Sequence, residues 1–140
     1  MLILRLIFQS IDENMFNWFK QELPHIKHNI LSAIPYVTIN QTLEALGLEL
    51  ELFMHKFAQD FIDGEILNPY FKPSEELCRC IVTFLDTEPS KILAIGNSEK
   101  SDIKPAKAVG MKTVMVYGKS ELADISLFDV YQVPTIFSKT

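Results

Sequence analysis

The polar stretch Gly96-Asn97-Ser98-Glu99-Lys100-Ser101-Asp102 is the part of this 140-residue chain best equipped for chemistry. It gathers an amide, two hydroxyls, two carboxylates and an ammonium between apolar neighbours. If a helix starts at its end, capped by Ser98 or Ser101, the free amides of that first turn attract an anion. Asp12, after the apolar opening of the chain, is a separate carboxylate, although an Asp there also serves as an ordinary helix cap. His25 and His28 share a short polar connection with Lys27, have no third ligand nearby and read as solvated surface. Cys78 and Cys80, the only cysteines, lie two apart on a predicted helix and so point in different directions. They read as free thiols rather than metal ligands, and reduced thiols suggest the cytoplasm.

The elements that position the polar stretch are legible around it. Ile92–Ile95 is too short for an independent helix and ends at Gly96, whereas Met111–Val116 is β-rich and follows Gly110, a natural helix stop. With a short helix between them they form a βαβ unit, whose strands are parallel. Open parallel sheets place ligand sites outside the carboxyl ends of their strands, and residues 96–102 occupy such a position.

Upstream, Leu2–Phe8 has the length and composition of a strand buried on both faces, with Arg5 its one anomaly. It is too short to span a bilayer, and no small-residue cleavage site follows it. A helix over Met15–Leu23 carries Phe16, Phe19 and Leu23 and stops before Pro24. Thr42–Leu46 and Glu49–Ile62 read as helical, with Leu46, Leu50, Phe53, Phe57 and Phe61 as an apolar stripe, Gly47 and Gly64 as stops, and His55 facing away and exposed. A further helix over residues 74–85 has Ser74 as N-cap and Leu77, Ile81 and Leu85 on one face. Length predicts a single α/β domain with one core. A hydrophobic fraction of 48% excludes a disordered chain, and a formal charge of −5 gives no reason to bind nucleic acid or an acidic membrane surface.

The stretch Ile92–Val116 resembles the fourth motif of the haloacid dehalogenase-like (HAD) hydrolases. There a strand ends in Gly-Asp, a polar stretch leads to a second Asp followed by Ile, and a short helix closes with an Ala-Gly-Met turn into the next strand. The first metal-binding Asp is replaced here by Asn97; the second acidic position, Asp102, is kept. The segment Phe8–Met15 resembles the first motif, which would put Ser10 at the nucleophile position, Asp12 at the general-acid position and Asn14 in place of Thr. Two alignments of the remainder are open. In one, Tyr36–Asn40 is the second strand with Thr38 as phosphate binder, and Lys72-Pro73 is the Lys motif. In the other, which the helical middle favours, residues 24–70 are a helical cap ending in Leu67-Asn68-Pro69-Tyr70, and two strands of the usual sheet are missing. The first strand would then be an open edge, and pairing with a second copy of the chain, or coverage by a helix, would satisfy it. A homodimer is therefore expected.

The resemblance implies a small Rossmann-like parallel sheet with flanking helices and a cap-like insertion over 24–70, within one domain spanning 1–140. It also implies phosphoryl transfer from a small phosphorylated metabolite through an aspartyl intermediate, with Mg²⁺ as cofactor. Ser10, Asp12 and Lys72 would stand at the catalytic positions, Thr38 and Ser98 at the phosphate, and Asn97 and Asp102 at the metal. An unactivated Ser hydroxyl is a poor nucleophile, and Mg²⁺ prefers charged oxygen ligands. The expectation is therefore a HAD-like hydrolase with weak or lost phosphatase activity. The competing reading is a degenerate relative acting as a binding or oligomerisation module.

Overall fold

The computed structural model describes residues 2–5, 27–45, 47, 53–68, 74–128 and 132 of the chain. Their strands form one eight-stranded sheet: β1 (Leu2–Arg5), β2 (Lys27–Leu31), β3 (His55–Phe57), β4 (Phe61–Ile62), β5 (Ile66–Leu67), β6 (Ile92–Gly96), β7 (Lys112–Val116) and β8 (Ile125–Leu127), in the spatial order β5-β4-β3-β2-β1-β6-β7-β8. The pairs β3-β2, β2-β1, β1-β6, β6-β7 and β7-β8 are parallel, and β4 and β5 add an antiparallel edge. The helices are α1 (Tyr36–Ala45), α2 (Glu75–Leu85) and α3 (Lys104–Ala108), the last entered through a wide π turn, Glu99–Ile103.

The two faces of the sheet are served by different helices. Leu31, Phe57, Ile92 and Ala94 pack in one buried cluster with Leu77, Cys78 and Ile81 of α2 and Ala106 of α3. Side chains alternate along a strand, so Ile30 and its register partner Lys56 face the other way. There the Lys56 ammonium donates to Asn40 Oδ1 of α1 at 2.9 Å, and the same helix buries Ile39 and Leu43 completely. Helix α2 forms as its sequence dictates: the Ser74 hydroxyl accepts the Leu77 amide at 3.0 Å, and Glu75 and Glu76 sit in the first turn, where the helix dipole favours acids.

The segment 24–70 differs from the helical cap expected of it. It supplies β2, β3, β4 and β5 to the central sheet, so the strands thought missing are present. Strand β1 then has neighbours on both sides, and the open first strand on which a homodimer was expected does not exist. Residues 53–62 are strands and a turn rather than helix. Phe53, Phe57 and Phe61 recur at a helical spacing, yet Phe57 is fully buried while Phe61 is at the surface. Acids at the turns hold the hairpin instead. Asp60 Oδ1 accepts the amides of Tyr36 and Phe61, and Asp63 Oδ1 accepts the Lys56 amide at 2.7 Å. Asp63 and Gly64 take positive φ, and a Cβ on Gly64 would stand 2.6 Å from the Tyr36 ring. His55 is half-buried rather than exposed, edge-on to Phe84 and 2.6 Å from Asp63. His28 lies buried in β2 instead of on the surface.

Candidate functional site

Strand β6 ends at Gly96, and the chain then turns on itself. Asp102 reaches back so that Oδ2 accepts the amides of Asn97 and Ser98, both at 3.1 Å. Ser98 Oγ accepts the Ser101 amide at 3.1 Å, and the Ser98 carbonyl takes the amides of Asp102 and Ile103. Asp102 is 1% exposed. Gly96 is needed for this approach, since a Cβ there would meet the Asp102 Cβ at 2.3 Å. The loop is tied outward as well: the Ser120 hydroxyl donates to Glu99 Oε2 at 2.6 Å and accepts the amides of Leu122 and Ala123.

Ser32 stands on the same side of the sheet, immediately after β2, almost wholly buried; its amide donates to the Phe57 carbonyl and its hydroxyl accepts the Ile34 amide. The carboxyl end of β1 lies between Ser32 and the Asn97 loop. Thr38 is elsewhere. Tyr36–Asn40 is the first half of α1 rather than a strand, and the Thr38 carbonyl accepts the Thr42 hydroxyl at 2.8 Å within that helix. Of the residues expected at the site, Ser98, Asn97 and Asp102 therefore come together, Thr38 sits on a helix, and Ser10, Asp12 and Lys72 lie outside the described residues. Ser32 takes the strand-end position that was assigned to Thr38. The run Ile30-Leu31 followed by a Ser and, soon after, Pro35 was its signal.

Farther out, the Asp124 carboxylate accepts the amide of Thr113 at 2.8 Å and its hydroxyl at 3.2 Å, with the Lys107 ammonium at 3.5 Å. Burial works to raise its pKa, but the Thr113 bonds and the Lys107 charge outweigh burial and hold it below the ordinary aspartate value.

A family profile described as HAD-hydrolase-like matches residues 70–135, which contain β6, the Asn97 loop, α3 and β7. Residues 70–135 are thus HAD-like in sequence, and the fold of the chain is that of HAD-like structures. A HAD phosphatase from Thermococcus onnurineus is 21% identical with a TM-score of 0.70, covering 94% of this chain and 58% of its own. The HAD-hydrolase YfnB from Bacillus subtilis, in a structure bound to magnesium, is 16% identical with a TM-score of 0.72, covering 91% and 55%. An uncharacterized protein from Listeria monocytogenes serotype 4b is 15% identical with a TM-score of 0.72, covering 99% of this chain and 97% of its own. The chain thus spans little more than half the length of the enzymes it resembles and nearly all of the Listeria protein. No curated protein matches its sequence.

Whether this HAD-like chain offers magnesium a site can be judged from its donors. A small hard ion needs near-octahedral oxygen ligands, charged for preference. At the first ligand position Asn97 offers a neutral amide oxygen, and Asp102 spends Oδ2 on two backbone amides. No three His, Cys, Asp or Glu side chains among the described residues cluster closely enough to hold a metal. The described part of the site does not fit a magnesium centre. Among the described residues no helix is long and apolar enough to cross a membrane.

Proposed function

We propose that this chain is a HAD-like hydrolase relative whose phosphatase chemistry is weak or lost, and whose retained fold works by binding a partner or an anion. One observation carries the reading. Where the family holds its metal between two carboxylates, this chain has Asn97 and an Asp102 whose Oδ2 is committed to holding the loop shut. A carboxylate that accepts two amides is a poor ligand to share, because a cation on the same oxygen must displace hydrogen bonds already made. The motif alignment adds to this by setting Ser10 at the nucleophile position, and an unactivated hydroxyl is a poor nucleophile at neutral pH. What persists is the polar loop at the carboxyl end of β6, with Ser32 at the end of β2, the place where open parallel sheets bind ligands.

Hydrolysis of p-nitrophenyl phosphate with and without Mg²⁺, by the purified chain beside Asp12→Ala and Asp102→Ala, tests the proposal. A rate no higher than that of either variant is expected. Mg²⁺-dependent turnover that both substitutions abolish would establish a working phosphatase.

A further inference from the structure

A second site lies one strand outward from the Asn97 loop. Strands β7 and β8 end side by side, with Val116 in register with Leu127. The next residue on each is aromatic, Tyr117 and Phe128, and both are exposed, at 46% and 84%. Together with Gly118, Lys119, Ser126 and Leu127 they line a cavity of about 610 Å³. That is within the range of small-molecule pockets, which run to roughly 300–1,000 Å³.

The backbone singles out the same place. Tyr117 has φ of 60°. Asp63 and Asp86 also take positive φ, but short polar side chains tolerate that region; for a bulky side chain it is an outlier. Strain of this kind persists only where the surroundings impose it, and it concentrates at ligand sites. Here it holds an aromatic ring at the mouth of a cavity rather than letting the chain run on straight. The loop that follows is fixed from both sides, by the bond from Ser120 Oγ to Glu99 and by the Ser126 hydroxyl donating to the Ser120 carbonyl. Lys119 is exposed on the rim and enters no ion pair among the described residues.

We infer that the cavity between the ends of β7 and β8 binds a small planar aromatic anion, its ring against Tyr117 and Phe128 and its charge toward Lys119. Ring contacts supply the apolar part of the affinity, and an ammonium on the rim selects for a negative group. Ligation of this kind needs neither Asn97 nor Asp102, so it stands apart from the fate of the phosphatase chemistry.

The test is a titration of the whole chain with 1-naphthoate, which has no ester to hydrolyse, followed by amide NMR without metal. Saturable shifts are expected at Gly118, Lys119, Ser126 and Leu127, with smaller ones at Asn97–Ser101. Tyr117→Gly removes the ring while relieving the positive φ, so it should weaken binding about tenfold, equivalent to one modest ring contact, with Tm unchanged or raised. Lys119→Ala should erase the preference for 1-naphthoate over neutral 1-naphthalenemethanol. No saturable shift at these amides, shifts centred on Asn97–Ser101, or binding unaffected by Tyr117→Gly would each overturn the inference.

Discussion

Replacing Asp102 by Ala should be among the most costly single changes in the chain, and the cost should owe nothing to metal. Its carboxylate accepts two amide hydrogen bonds, each 3.1 Å long, from a position 1% exposed. Hydrogen bonds to a charged group contribute about 1.5–3 kcal/mol each. The Asn97 side of the loop faces water, which recovers part of the loss for the orphaned amides, so about 3–4 kcal/mol is expected for the pair. For a domain of this length the unfolding entropy converts that into a fall in Tm of about 10–14 °C. Asp102→Asn keeps the packing against Gly96 and one acceptor oxygen, and should lose about half as much. Scanning calorimetry in EDTA and in Mg²⁺ reads both effects. A fall below about 3 °C for Asp102→Ala, or a fall seen in Mg²⁺ but absent in EDTA, would refute the role given to the carboxylate.

Gly96→Ala should lose about 1–3 kcal/mol, the range of overpacking changes, because its new Cβ would stand 2.3 Å from the Asp102 Cβ; denaturant unfolding checks it, and a neutral result would mean the loop moves freely. Asp124 has a depressed pKa in the folded chain, so the stability it contributes is present above the unfolded value and is lost as pH falls through the folded one. Unfolding curves from pH 6 down to about pH 2 should therefore converge for wild type and Asp124→Asn at the acid end, and curves that stay parallel would contradict the role of the Thr113 and Lys107 contacts.

Much of the site was legible because its signals are local. Gly96, Ser98 and Gly110 mark the turns of the βαβ unit, Ser74 marks the start of α2, and the structure has each where the sequence puts it. Strands β2 and β3 were not legible, because what makes them strands is not in them. Lys27-His28-Asn29 looks like solvated chain, yet Asn29 is fully buried because β1 and β3 flank it on both sides. The Phe53, Phe57 and Phe61 spacing imitates a helix until the Asp60 and Asp63 side chains are seen to fasten the backbone of a hairpin. Neither alignment marks Ser32, whether Tyr36–Asn40 is the second strand or residues 24–70 are a cap, since only the pairing of Leu31 with Phe57 shows where β2 ends.

Calorimetric titration of the metal-free chain with Mg²⁺ tests the central claim most directly, that the Asn97 loop is held by Asp102 in place of a metal. No saturable heat is predicted up to millimolar Mg²⁺, with Tm the same in Mg²⁺ and in EDTA. A saturable isotherm that disappears in Asn97→Ala would contradict it and return the chain to the magnesium-dependent phosphatases.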